Sequence, residues 1–211
     1  MQKVKVCKKL FTRTSVCDIV NAKMIEGDDV KILKGYVFRM YPNKKQEELI
    51  NKTIGCCRFI YNYFLDDKIK EYKIAGKSKS AYEQIKLIPS LSKEYPFLKE
   101  VDSCALRNSL FNLEDAYKRF YDGSGYPRFK VKGVHESYKT NNIKNSYKGN
   151  NYNSIKLDLK NTTITLPKLK EVKIRGYRNK EVILGEVKSA VIKKDAGRYY
   201  VSVLIEEELI K

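Results

Sequence analysis

The stretch Gly35 to Asp67, GYVFRMYPNKKQEELINKTIGCCRFIYNYFLDD, constrains the fold of this chain more than any other. It opens on Tyr36-Val37-Phe38-Arg39-Met40, a β-branched and aromatic run that predicts a short strand. Tyr41-Pro42 stops the strand, because proline has no N–H to give to a ladder. Asn43 is placed to cap a helix, and Gln46, three residues on, completes a capping box that satisfies orphan backbone donors. Behind it Ile50, Ile54, Cys57, Tyr61, Phe64 and Leu65 recur at helical spacing and predict one buried stripe. Gly55 interrupts that run as a candidate bend or turn between two helices. Taken alone, a strand and a capped amphipathic helix suit many α+β cores.

The helix continues through Tyr72 to Gly76, a candidate C-cap. Lys77 to Ser80 form a polar connector, and Ser80 caps a short helix running to about Ile88, which Pro89 ends. Leu91 to Leu98 read as a loop anchored by Tyr95-Pro96-Phe97. Asp102 is the N-cap of the clearest helix, where Leu106, Leu110, Leu113, Tyr117 and Phe120 repeat at core spacing. After Gly123-Ser124-Gly125 the pattern changes to alternation: Ile155, Leu157 and Leu159, then Ile164 and Leu166, then Val172 and Ile174. Val187 to Lys193 and Tyr199 to Ile205 flank Asp195-Ala196-Gly197 as a hairpin. The strand at Tyr36 joins these, since a lone strand leaves its backbone groups unpaired.

The expected fold is therefore α+β, a small antiparallel β-barrel or open sheet with a helical bundle inserted into it. The expected divisions are an N-terminal extension over 1–34, a first barrel strand over 35–42, a helical domain over 43–122 and a β-rich domain over 123–211. The extension holds a candidate strand, Lys3 to Val6, and has no assigned role. It reads as an extra arm or as upstream reading frame ahead of the true start.

A formal net charge of +18 exceeds what solubility requires and is the footprint of a protein that neutralises phosphates. No segment approaches the ~20 apolar residues of a membrane-spanning helix, and the N-terminus lacks the apolar core of a signal peptide. Five cysteines, two of them adjacent, without a CxxC, suit a reduced cytoplasmic protein better than a disulfide scaffold. With one histidine, His135, in a polar stretch, no metal site and no cofactor is expected.

The residues RMYPN..Q.ELIN.T.GC.RF.YN.FL resemble the opening of the TnpB (OrfB) proteins of bacterial insertion sequences. The likeness continues through YEQ.K at Tyr82, EYPFLKEVDS.AL.NSL.NLE.AYK.F from Glu94, GYPRFK from Gly125, SY.TNN from Ser137, LPKL from Leu166 and GRYYVSVLIE from Gly197. The resemblance implies RNA-guided DNA endonucleases, related to compact type V CRISPR effectors, with a wedge-like barrel gripping guide RNA and a helical lobe on the guide–target duplex. It implies that the catalytic carboxylates belong to a RuvC-like domain beginning just past Lys211. The acids here, Asp66-Asp67, Glu114-Asp115, Asp158 and Glu206 to Glu208, read as solvated charges or caps, so no catalytic residue is expected.

Binding chemistry is well supplied. Lysine and arginine neutralise phosphate, and tyrosine stacks on unpaired bases. The candidate nucleic-acid contacts are Arg39, Tyr41, Lys44 and Arg58 in the opening stretch, then Tyr82, Gln84 and Lys86. Ser103 and Arg107 follow on the leucine helix, and Arg128, Lys130, Lys132, Tyr138, Thr140, Asn141, Lys173 and Arg175 beyond it. By the resemblance, Tyr82 and Gln84 belong to the motif-reading region, as does Arg107, suited to guanine or to phosphate. The expected partners are structured guide-like RNA, duplex DNA or both. Three readings stay open: a nuclease-deficient binder, half of a split enzyme completed by a separate RuvC-like chain, and a decayed remnant.

Overall fold

In the computed structural model, residues 21–22, 30–147, 150–176 and 185–209 are described. The expected strand Lys3 to Val6 lies outside them. A two-residue strand β1 (Asn21–Ala22) pairs with β2 (Val30–Tyr41). β2 begins earlier than the hydrophobic run announces, at Val30. Its last residues alternate as a half-buried strand must, with Val37, Arg39 and Tyr41 exposed and Phe38 and Met40 buried.

Helix α1 (Lys44–Ala75) follows at once. Asn43 Oδ1 accepts the Gln46 N–H at 2.9 Å, and Gln46 Oε1 accepts the Asn43 N–H at 3.0 Å, which is the expected capping box. All six residues of the predicted stripe are buried. Gly55 makes neither bend nor turn: the helix runs straight through it. A glycine costs a helix about 1 kcal/mol against alanine, and buried Thr53, Ile54, Cys56 and Cys57 on either side outweigh that. Gly76 ends α1 with φ 65°, its N–H donating to the Tyr72 carbonyl.

Helix α2 (Ala81–Glu94) starts at Ser80, whose capping box with Glu83 is complete. The expectation that Pro89 ends this helix fails, because α2 continues through Pro89 to Glu94, six residues beyond Ile88. The proline removes one backbone donor, but it is exposed while Ile88, Leu91 and Ser92 around it are buried. The hydroxyls of Ser90 and Ser92 donate to the Leu87 and Ile88 carbonyls at 2.7 and 2.8 Å. A 3-10 turn, Pro96–Lys99, replaces the expected loop and leads to α3 (Ser103–Tyr121), N-capped by Asp102.

Eight strands follow: β3 (Ser137–Asn141), β4 (Lys144–Tyr147), β5 (Asn150–Asn153), β6 (Lys156–Asp158), β7 (Thr163–Leu166), β8 (Lys170–Arg175), β9 (Glu186–Asp195) and β10 (Arg198–Leu209). β4 and β5 form a separate hairpin, and the rest build one antiparallel sheet in the order β3-β9-β10-β2-β8-β7-β6. The α+β class and the insertion of three helices between two strands of one sheet, β2 and β3, stand as expected. Closure into a barrel does not: β3 and β6 end the sheet unpaired with each other, and a cleft of about 380 Å³ lined by Ile155, Leu157, Val187 and Ile205 separates β6 from β9 and β10. The turn between β9 and β10 has positive φ at both Ala196 (46°) and Gly197 (74°), the geometry a two-residue hairpin turn requires.

One core serves helices and sheet together. Ile50, Ile54, Cys57, Leu106 and Leu110 meet Phe38, Met40, Tyr138, Ile192, Val201 and Val203 within it. Helix α3 also covers the edge of β3: Asn108 Nδ2 donates to the Lys139 carbonyl at 2.9 Å, and the Asn141 N–H donates to Cys104 Sγ at 3.4 Å. Thr140 Oγ1 donates to Asp102 Oδ2 at 2.6 Å, tying the helix cap to the strand. No helix among the described residues is long and apolar enough to cross a membrane.

Candidate nucleic-acid interface

With the helices on one face of the sheet, the residues alternating with the core lie on the other. In register across five strands stand Ser137, Lys193, Tyr200, Arg39 and Arg175, on β3, β9, β10, β2 and β8. Tyr41 and Lys173 pair in the neighbouring row. The guanidinium carbons of Arg39 and Arg175 lie 4.9 and 5.6 Å from the Tyr41 ring centroid, so one ring holds two cations. Neither arginine has a carboxylate partner among the described residues. Lys44, the first residue of α1, is exposed just beyond Tyr41. Lys193 and Tyr200 were not foreseen. The alternation that marks Ile192, Val201 and Val203 as core also marks their neighbours as surface, and that was the signal available.

A second surface lies on α2 and α3. The Tyr82 ring, 70% exposed, packs edge-on against Phe111 at 5.5 Å. Lys86 is one turn along α2 from Tyr82, Arg107 one turn before Phe111 on α3, and Ser103 a turn before that, and all three are exposed. The helices therefore bring Tyr82, Lys86, Ser103 and Arg107 to two neighbouring elements. Arg58 is half-buried on α1 and belongs to neither group.

The third surface is the irregular segment after α3, which carries Arg128, Lys130 and Lys132, all exposed. Lys130 is exposed as a residue, but its ammonium folds back to 4.3 Å from the Tyr61 ring centroid, and desolvation of that end pushes it below the usual lysine range.

Three candidates are buried and a fourth is half-buried. Gln84 is fully buried, and its amide donates to the Phe64 carbonyl at 3.3 Å. Tyr138 and Thr140 point into the core from β3, since their positions alternate with the exposed Ser137 and Lys139. Asn141 is half-buried, with its backbone N–H already used by Cys104. An isolated polar or aromatic residue carries no mark of which side of a strand it occupies.

Residues 32–77 match a family model for the helix-turn-helix domain of OrfB proteins. InsQ of Escherichia coli, named as a candidate RNA-guided DNA endonuclease, is 29% identical over 85% of the chain and 42% of its own length. A Streptomyces pristinaespiralis protein named as a candidate RNA-guided DNA endonuclease is 26% identical over 85% of the chain and 43% of its own. Virulence protein VsdF of Salmonella dublin is 30% identical over 105 residues, 88% of its length. The chain belongs to the TnpB (OrfB) family. It spans under half the length of the two relatives named as endonucleases.

In this TnpB-family chain the matched helix-turn-helix span is one strand and one uninterrupted helix, β2 and α1. The first turn between helices begins only at the end of that span, at Gly76. No group of three or more His, Cys, Asp or Glu able to hold a metal ion occurs among the described residues. Two acids near the end of β10, Glu206 and Glu207, are tied into ion pairs. Glu207 accepts from Lys34 Nζ at 2.5 Å and from Tyr36 Oη at 2.6 Å, and Glu206 pairs with Lys188 at 3.1 Å. Cys57 is buried, and burial pushes its thiol up to about 12, which makes it an inert core residue.

Proposed function

We propose that this chain binds nucleic acid within an insertion-sequence protein, gripping phosphates on the outer sheet face and reading sequence with Tyr82, Lys86, Ser103 and Arg107. The observation that carries it is the direct register of Arg39 with Arg175 around Tyr41. Like charges opposite one another destabilise a strand pair, and a bound phosphate converts that cost into a two-pronged grip. The net charge of +18 supplies the long-range attraction. Two relatives are named for DNA cleavage under RNA guidance, and both of those nucleic acids carry phosphates.

On this reading these residues bind and do not cut. The deciding experiment is a salt titration of the purified chain against structured RNA and duplex DNA. A protein making 6–10 phosphate contacts loses about 10³–10⁵ in affinity between roughly 50 and 200 mM salt. A flat titration, or no binding at low salt, overturns the reading. Magnesium- or manganese-dependent cleavage by rigorously purified chain overturns its second half.

A further inference from the structure

Resting on that reading, we propose that residues 125–132, GYPRFKVK, form a platform for unpaired bases, and so bind a single-stranded segment rather than a duplex. The segment has no regular secondary structure, yet it is held in place at several points. Glycines with φ 93° and 85°, Gly123 and Gly133, bracket it. The Tyr126 ring is packed against Tyr117 and Phe120 at 5.8 and 5.1 Å. In the middle, Asn62 on α1 clamps one residue from both sides: its Nδ2 donates to the Lys130 carbonyl at 2.9 Å, and its Oδ1 accepts the Lys130 N–H at 2.8 Å. This is the two-bond pattern by which a neighbouring strand would hold the chain.

On that frame the side chains of Arg128, Phe129, Val131 and Lys132 face water. Phe129 and Val131 are 50% and 65% exposed, and Arg128 and Lys132 alternate with them. No acid occurs between Asp122 and Glu136. Exposed apolar groups beside cations with no carboxylate partner among the described residues mark a surface that meets a ligand. A duplex would satisfy only the cations, because its base faces are hidden in the stack. An unpaired strand offers both a phosphate and a π-face, the combination single-strand binders use. Between Gly125 and Val134 there is no Ser, Thr or Asn, and the Tyr126 hydroxyl is already hydrogen-bonded to that of Tyr117 at 3.0 Å, so no neutral side chain is left to read a 2′-hydroxyl and RNA and DNA should serve alike.

The test uses fluorescence anisotropy with labelled oligo-U, oligo-dT and a hairpin-closed DNA duplex of equal length. The chains compared are the full chain and its Phe129→Ala and Phe129→Tyr variants. Phe129→Ala should weaken both single strands about 5- to 150-fold and leave the duplex and the melting temperature unchanged. Phe129→Tyr, which keeps the ring, should restore the single-strand affinity. Equal losses on strand and duplex, no loss on either, or a loss confined to one sugar overturns the platform. Failure of the unsubstituted chain to bind any of the three in low salt instead overturns the nucleic-acid reading itself.

Discussion

Arg107 and Leu110 stand three residues apart on α3 and meet opposite surroundings. Leu110 is fully buried, so Leu110→Ala should leave a cavity and cost about 2–5 kcal/mol, read from urea unfolding. Arg107 is exposed, so Arg107→Ala should leave the melting temperature nearly unchanged and act on binding. A base contact would lose about 1–3 kcal/mol of discrimination at one position; a phosphate contact would weaken all sequences evenly and lower the salt slope by about one. Tyr138 and Cys57 give a pH test. Burial raises both, Cys57 to about 12, so the fold keeps protonated two groups that the unfolded chain would ionise. Their contribution is complete below the ordinary thiol and phenol values, 9.0 and 10.0, and is lost as pH rises above them. The urea midpoint should fall between pH 8 and pH 11 (values on the order of the two reference pKa). Tyr138→Phe should shrink that fall while leaving nucleic-acid affinity at neutral pH intact. An affinity loss in Tyr138→Phe would return Tyr138 to the interface.

Among the elements, caps and stripes were legible because each depends on residues within four positions. Asn43 with Gln46, Ser80, Asp102 and Gly76 all act where their local chemistry predicts. Gly55 and Pro89 misled because local propensity there is overridden by burial on either side. The edge of β3 has no local signature at all. Asn108, which sits in the α3 core pattern as a polar residue, satisfies the Lys139 carbonyl from across the fold. Asn108→Ala should leave that carbonyl without its partner, costing about 1–3 kcal/mol, and expose a strand edge to pairing with other chains. Chemical unfolding together with light scattering against concentration checks both effects. Unchanged stability would mean that water replaces Asn108 at no cost.

At the scale of the molecule, the helices occupy one face of an open sheet and one row of cations lies on the other. Arg39, from the start of the chain, meets Arg175 only because β2 and β8 pair. If this face grips phosphate, the double variant Arg39→Ala with Arg175→Ala should lower the slope of log affinity against log salt by about two units, since each phosphate contact contributes about 0.9. Thermal stability should hold or rise, as two opposed like charges are removed. A slope that does not move places the phosphates elsewhere.

The amino-acid sequence by itself determined the α+β class, the three helices with their caps, the hairpin at Ala196-Gly197, the strongly basic charge and, through its ordered motifs, the family. Those are properties of neighbouring residues or of the whole composition, so a linear reading reaches them. Only the tertiary structure decided that the sheet stays open and that Tyr138, Thr140 and Gln84 turn inward. It alone aligned Lys193, Tyr200, Arg39 and Arg175 in one row. Strand register joins residues far apart in the chain, and a shift of one position would exchange the two faces. It is set by which alternation buries the most apolar surface against α1 and α3, a choice made by the assembled core.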